Sequence, residues 1–144
     1  MWRTLFLAAV CVSLGGTAHA NTNTNTCLRY REDVSLQGTL TRQTFPEQPN
    51  YESVAHGDAK ATYFLLKLDP AVCVAPGDDE DEAGEGHVNI VQLVFMGKED
   101  MFGPLRPSLG EKVQCSGQLM HAFSGHHHSR ILLTTSRCQD VERR

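Results

Sequence analysis

The sequence has few aromatic residues and a single tryptophan. Aromatic side chains make up 7% of its 144 residues, and the tryptophan, Trp2, stands at the amino-terminal end. Sites that bind sugars use the large flat faces of aromatic rings, tryptophan above all. The scarcity of such rings argues against sugar binding as the main function.

Basic residues are also scarce. Thirteen Lys and Arg residues stand against seventeen Asp and Glu residues, the formal net charge is −4, and no basic run occurs. Nucleic acids and anionic membrane surfaces attract proteins that carry basic patches. We therefore expect neither nucleic acid nor a membrane surface as a partner.

The sequence contains one long apolar run, and it is too short to anchor the chain in a membrane. Residues 5–14 are mostly apolar, Arg3 precedes them, and Ala18-His19-Ala20 has the small–x–small pattern that signal peptidase cuts. A helix needs about 20 apolar residues to cross a bilayer. We predict a cleavable signal peptide over residues 1–20 and export to the periplasm, with no membrane anchor.

No pair of cysteines has the CxxC spacing of a redox or zinc motif. Four cysteines follow the predicted signal peptide: Cys27, Cys73, Cys115 and Cys138. An even number of widely spaced cysteines in an exported chain is typical of disulfides. We expect two disulfides, which would leave no thiol as a catalytic nucleophile.

Strand patterns occur five times, and long helical patterns are missing. In the first strand, Val34, Leu36 and Leu40 alternate with polar residues, which is the period of a half-buried strand. Gly38 and Gly117 lie inside strands, where glycine permits the sharp bends of a small barrel. We predict an all-β, five-stranded OB-like barrel with long loops, and a β-sandwich is the alternative. The predicted strands cover residues 34–41, 61–74, 87–96, 112–123 and 130–138, after a flexible leader over residues 21–33, within a single domain over residues 34–144.

The last two predicted strands form a hairpin that suggests a disulfide pairing. If the hairpin is centred between His126 and His127, then Cys115 faces Cys138, and cross-strand neighbours lie at disulfide distance. This pairing leaves Cys27 with Cys73. Four cysteines allow three pairings in all.

Histidines are concentrated in residues 121–130, HAFSGHHHSR. In an extended chain His126 and His128 point to one side and His127 to the other. His121, His126 and His128 are candidate ligands for zinc or copper, with His56 as a fourth, although no HExxH spacing is present. The alternatives are a polar turn without a ligand, for which no cofactor is expected, and a surface that contacts a partner.

The segment FPEQPNYESVAHGD, residues 45–58, is predicted to be a structured loop. Its two prolines and two aromatic residues make it stiff, and a stiff loop loses little entropy when it docks on a partner. Alternatively, Phe45 and Tyr51 cap one end of the barrel. The residues predicted to contact a partner are Phe45, Pro49, Asn50, Tyr51 and Glu52 in this loop, and His126, His127 and His128 in the hairpin.

Two stretches resemble a family of exported bacterial domains of unknown function, DUF4431. They are GTLTRQTFPEQPNYESVAHGDAKATYFLLKLDPAVCV and LGEKVQCSGQLMHAFSGHHHSRILLT, which carry an FPxxPNYES-type loop and a GHHH segment within about residues 34–135. The resemblance implies a stand-alone periplasmic module of Gram-negative bacteria, with no established chemistry. It also implies that the loop and the GHHH segment are the signature regions, which would make one composite surface if they lie close together.

These observations favour a binding protein over an enzyme, because no GxSxG serine motif or paired acid–base motif is present. Small disulfide-bonded β proteins of the periplasm are often inhibitors or immunity proteins, and this analogy suggests a protein of the cell envelope as the partner. We therefore predict a non-enzymatic binding module that blocks a hydrolase or toxin acting on the cell envelope. The alternative is a periplasmic protein that binds zinc or copper through its histidine cluster, and ligand binding on the barrel face is a third possibility.

Overall fold

The structure of the protein, a computed structural model, describes residues 26–97 and 101–141. The predicted signal peptide and the first part of the predicted leader lie outside these residues. The described chain forms five strands and three short helical turns, and none of its helices is long and apolar enough to cross a membrane. The strands are β1 (Asp33–Pro46), β2 (Lys60–Val74), β3 (Glu85–Phe95), β4 (Lys112–His121) and β5 (Ile131–Asp140).

The sheet closes into a barrel because β1 is long enough to pair with two neighbours. Residues 33–39 pair with β4 and residues 38–46 pair with β2, so the strand changes partner at Gly38. A β-carbon on Gly38 would lie 2.5 Å from the Lys67 carbonyl oxygen, so only glycine fits at this crossing. The order around the barrel is β1-β2-β3-β5-β4, with β3 and β5 parallel and the other neighbours antiparallel. The predicted five-stranded OB-like barrel is confirmed.

Alternating apolar residues of all five strands fill the inside of the barrel. The helix α1 (Phe102–Leu105), between β3 and β4, adds the buried side chain of Leu105 to this core. The fully buried interior residues are Leu40, Leu66, Val91, Val113, Cys115, Leu119, Ile131 and Leu133. Val113, Cys115 and Leu119 share the inner face of β4.

The first strand is longer than its sequence pattern indicated. Phe45 and Pro46 were expected in a loop, but β1 includes both residues and pairs them with Ala61 and Lys60 of β2. The strand period is hidden there because polar residues occupy both faces near the end of the barrel. β2 continues through Asp69 and Pro70, with a register shift against β3 between Lys67 and Val72.

Both predicted disulfides, Cys27–Cys73 and Cys115–Cys138, are present. Cys115 pairs directly with Cys138, and a shift of register between Ser116 and Gly117 follows, so that His121 pairs with Ile131. The centre of the hairpin therefore lies half a residue from its predicted place.

Residues 27–30, which were assigned to the flexible leader, pack against the barrel. Leu28 forms a bridge to Val74, and its backbone N–H donates to the Cys73 carbonyl oxygen at 2.8 Å. Tyr30 is buried and its hydroxyl donates to the Ala83 carbonyl oxygen at 2.6 Å. Among the described residues, the segment from Cys27 to Tyr30 therefore belongs to the packed barrel, and the disulfide to β2 holds it there.

Gly117 is expected to tolerate no side chain. A β-carbon at this position would overlap the carbonyl oxygen of Thr134 on β5, which is backbone and cannot turn away. We expect Gly117→Ala to lower the free energy of unfolding by about 2 kcal/mol. Gly86→Ala is the matched control on β3, because a β-carbon there meets nothing within 4 Å. Urea unfolding of both variants measures the difference, and equal stabilities would contradict the barrel register.

Candidate functional site

The candidate site is formed by two connections between strands. The binding loop, residues 47–59, joins β1 to β2, and the histidine tip, residues 122–130, joins β4 to β5. Tyr51 of the loop contacts His126 of the tip, with 5.5 Å between ring centroids and an interplanar angle of 80°. Segments 75 residues apart in the sequence are thus neighbours in the fold.

A buried carboxylate shapes the binding loop. Asp58 is buried and accepts hydrogen bonds from the backbone N–H groups of Ser53, Asn50 and Glu52, at 2.8, 2.9 and 2.8 Å. These donors, Ser53 foremost, hold the pKa of Asp58 below its ordinary value. The loop is therefore fixed in one shape by a charge at its base.

A buried amide holds the histidine tip against the outside of the barrel. Gln92, on the outer face of β3, is only 2% exposed. Its Nε2 donates to the His126 carbonyl oxygen at 2.9 Å, and the His128 backbone N–H donates to its Oε1 at 2.6 Å. The Ser129 hydroxyl also accepts from the Gln92 backbone N–H at 2.9 Å. The Gln92 side chain thus bonds two backbone groups of the tip and holds the tip against β3.

Glu47 joins the loop to the tip. Its side chain is buried, 6% of the residue is exposed, and the Tyr63 hydroxyl donates to Oε1 at 2.7 Å. His128 Nε2 lies 3.3 Å from the same oxygen, and His126 Nδ1 contacts Oε2. We call this group of Glu47, Tyr63, His126 and His128 the junction.

The junction favours an ionised carboxylate and a protonated phenol. Burial acts to raise the pKa of Glu47, but hydrogen bonds from Tyr63, His128 and His126 outweigh burial and hold it below its ordinary value. Burial, followed by the neighbouring Glu47 carboxylate, raises the pKa of Tyr63 far above its ordinary value. Tyr63 is therefore a permanent donor, and Glu47 a permanent acceptor, at neutral pH.

Aromatic contacts surround the junction. The rings of Phe45 and His128 stack with 3.9 Å between centroids and an interplanar angle of 1°. Gly125 lets the tip approach Tyr51, because a β-carbon there would lie 2.9 Å from the tyrosine ring. The stacking and the close approach leave the loop and the tip little freedom to move apart.

His127 contacts a different residue from His126 and His128. Its ring contacts that of Phe123 at 4.6 Å between centroids, and the Phe123 backbone N–H donates to its Nδ1 at 3.1 Å. Burial, followed by the charges of His126 and His128, lowers the pKa of His127. A neutral imidazole suits a nitrogen that accepts a hydrogen bond.

The structure brings together part of the predicted partner-contact set. His126 and His128 belong to the junction, and Phe45 and Tyr51 contact them. Pro49, Asn50 and Glu52 are exposed on the binding loop. Phe45 lies on β1 against His128 and Tyr63.

The three predicted metal ligands are not assembled in one place. His121 ends β4 beside Glu85, at 3.6 Å, and Tyr30, whereas His126 and His128 contact Glu47. His56 is exposed on the helical turn Val54–His56. Within residues 26–97 and 101–141, no three His, Cys, Asp or Glu side chains are placed to hold a metal ion.

Sequence reasoning missed the residues that organise the site. Glu47 and Asp58 lie among polar residues, and their burial depends on contacts with other segments. Tyr63 stands in an apolar strand, where its hydroxyl gives no sign of a carboxylate partner. Gln92 left a signal, because it is a single polar residue between Val91 and Leu93 in an otherwise apolar run. A buried amide of this kind needs partners, and the tip supplies them.

The junction is expected to open in acid and not near neutral pH. Because the pKa values of Glu47 and Asp58 are lowered by folding, both carboxylates stabilise the fold fully above about pH 4.5. Their contribution is lost as the pH falls through the lowered folded-state values. Amide hydrogen exchange of residues 50–53 and 126–128, measured from neutral pH downward, checks this. Opening near pH 6, where free histidine titrates, would contradict it.

Part of the chain matches a known protein family. A family model described as "Domain of unknown function (DUF4431)" matches residues 90–139. These residues run from β3 to β5 and include the histidine tip, so the resemblance to this family is confirmed over that segment. The binding loop precedes the matched residues. No curated protein matches the chain.

Proposed function

We propose that the protein is a non-enzymatic binding module of the bacterial periplasm, and that it holds another protein of the cell envelope. The contact region would be the composite surface, defined as the exposed residues of the binding loop and the histidine tip. The observation that carries this proposal is the junction, where Glu47 of the loop meets His126 and His128 of the tip. Two connecting segments become one preformed surface, and preformed surfaces lose little entropy on binding.

The position and chemistry of the composite surface support this proposal. In OB-type barrels the loops between strands 1 and 2 and between strands 4 and 5 flank the ligand-binding face. Here the first of these is the binding loop and the second is the histidine tip. Phe123 of the tip is 69% exposed, and Val54 of the loop is also exposed. Exposed aromatic and apolar side chains beside a polar rim are typical of contact surfaces between proteins.

The chemistry of Glu47 supports binding in preference to catalysis. A general base needs a pKa near the working pH, whereas the pKa of Glu47 lies below its ordinary value. Its oxygens also already accept hydrogen bonds from Tyr63 and contact two histidines. Glu47 therefore has the properties of a structural carboxylate.

We further propose that the module acts as an inhibitor or immunity protein against a hydrolase or toxin. The formal charge of −4 would favour a basic target through electrostatic complementarity. Two disulfides within the described residues suit an oxidising compartment such as the periplasm. A stiff loop and tip would enter the cleft of the target.

Affinity capture from envelope extract tests the proposal. The mature protein carries a tag without histidine and is used with and without a chelator. We expect one hydrolase or toxin-like protein to be captured in both conditions, and its activity to fall when the purified module is added. Capture that is lost with the chelator, or bound zinc or copper without a partner, would favour the metal-binding alternative.

Surface variants locate the contact. Phe123→Ala in the tip and Glu52→Ala in the loop change exposed side chains outside the junction, so the fold should persist. We expect the pair to reduce capture at least about tenfold, as central contact residues commonly do. Gln37→Ala, an exposed residue of β1 outside both segments, is the control. Equal capture by all variants would rule out the composite surface.

A further inference from the structure

A cleft of about 420 Å³ lies beside the histidine tip, between the barrel and α1. This volume is in the range of sites that bind small molecules. β1 and β2 form one wall, and β3 with the tip forms another. The lining residues that matter for its chemistry are Arg42, Phe64, Phe95, Phe102, His126 and His127.

Arg42 is the cationic side chain of this cleft, and its guanidinium has aromatic neighbours. The Arg42 guanidinium carbon lies 3.9 Å from the centroid of the Phe102 ring and 5.7 Å from that of Phe64. By contrast, Arg31 pairs with Asp79 and Glu82, and Arg130 pairs with Glu85. Among the described residues, no ion pair includes Arg42.

The position of Arg42 follows from the strand register. Arg42 pairs with Phe64 across β1 and β2, which aligns the two side chains at the end of the barrel. Buried Leu105 anchors α1 on the core and so brings Phe102 over the guanidinium. A guanidinium that rests on a ring keeps its N–H groups in its own plane, where they can donate two parallel hydrogen bonds to a carboxylate.

The remaining walls are apolar and weakly polar. Phe64 and Phe95 are in edge contact, with 6.0 Å between their ring centroids, and form an apolar surface inside the cleft. His126 and His127 border the cleft on the side of the tip. The cleft therefore offers an apolar surface for a flat aromatic group, and the Arg42 cation for an anionic group.

We propose that this cleft binds an organic anion made of an aromatic ring and a carboxylate, with the carboxylate on Arg42 and the ring against Phe64 and Phe95. The proposal does not depend on a protein partner, because every residue named for the cleft belongs to one chain. The protein as a whole carries a charge of −4 and repels anions, so a preference for an anion would have to come from Arg42 and its surroundings.

Two ligands of the same shape test the proposal on the unmodified protein. 2-Naphthoate carries the anion, and 2-naphthylmethanol is its neutral counterpart. We expect naphthoate to bind at least about tenfold more tightly, since hydrogen bonds to charged groups contribute that much or more. Titration followed by amide NMR should shift residues 42, 64, 95 and 127. Equal affinity for the two ligands, no saturable binding in millimolar naphthoate, or shifts confined to other residues would overturn the proposal.

Variants identify the cation. Arg42→Gln is expected to remove the preference for naphthoate. Arg137→Gln makes an equal change of charge at an exposed residue of β5 and should preserve the preference. A preference that survives Arg42→Gln would overturn the role of Arg42. Because the comparison of the two ligands needs no variant, it decides the proposal even if Arg42→Gln does not fold. Neither result depends on whether a protein partner is found.

Discussion

Replacing Glu47 with alanine is expected to separate the histidine tip from the binding loop and to lower the free energy of unfolding by about 3 kcal/mol. The variant removes the acceptor of the Tyr63 hydroxyl and the contact of two imidazoles. It leaves the partly buried Tyr63 donor without that partner, and the loss of such a hydrogen bond is costly. Urea unfolding measures the stability, and amide hydrogen exchange of residues 126–128 reports the release of the tip.

Two further variants make this prediction specific. Glu47→Gln keeps an acceptor for Tyr63 but removes the charge, so a smaller loss of stability is expected. Glu52→Gln changes an exposed carboxylate of the same loop and is expected to have almost no effect. If Glu47→Ala were as stable as Glu52→Gln, the junction would contribute nothing to the fold.

Removing the disulfide between Cys27 and Cys73 is expected to cause the largest loss of stability, about 4 kcal/mol. The bond closes a long loop, with 46 residues of sequence separation, and so restricts the unfolded chain strongly. It also holds Leu28 and Tyr30 against the barrel. The variant Cys27→Ala with Cys73→Ala, studied by urea unfolding, measures this contribution.

The second disulfide is the natural comparison. Cys115 and Cys138 are separated by only 23 residues and are already neighbours in a hairpin, so their bond restricts the unfolded chain less. We expect about 3 kcal/mol for Cys115→Ala with Cys138→Ala. If removal of the Cys115–Cys138 disulfide caused the larger loss of stability, packing of the buried Cys115 side chain, and not chain entropy, would determine which disulfide contributes more.

The barrel could be predicted because the sequence patterns that indicate it lie within single strands and one hairpin. Alternation in residues 34–41 and 112–121 follows directly from the period of a strand, and the position of Cys115 opposite Cys138 follows from a hairpin with a short tip. The register shift after Ser116 could not be predicted, because a bulge depends on how strands fit around the whole barrel. The packing of residues 27–30 was missed because Leu28 and Tyr30 form only a short apolar pattern after a polar repeat, and their burial depends on contacts with distant strands.

The site was harder to predict than the fold. The sequence predicted that His127 points away from His126 and His128 if the chain is extended, but residues 125 and 126 form a turn, where strand alternation does not fix side-chain directions. It did not supply their partner, because Glu47 lies 81 residues before His128 and nothing local marks it as buried. The metal prediction took His121 as a third ligand, but His121 ends β4 and pairs with Glu85 instead.

A double-mutant cycle between Glu47 and His128 tests the central claim, that loop and tip form one surface, most directly. Glu47→Ala removes the carboxylate, and His128→Phe keeps a ring to stack on Phe45 but removes the nitrogen that contacts Glu47. We predict that the two changes are coupled by about 1 kcal/mol in urea unfolding at neutral pH. Additive effects of the two substitutions would contradict the account, because the loop and the tip would then be independent segments.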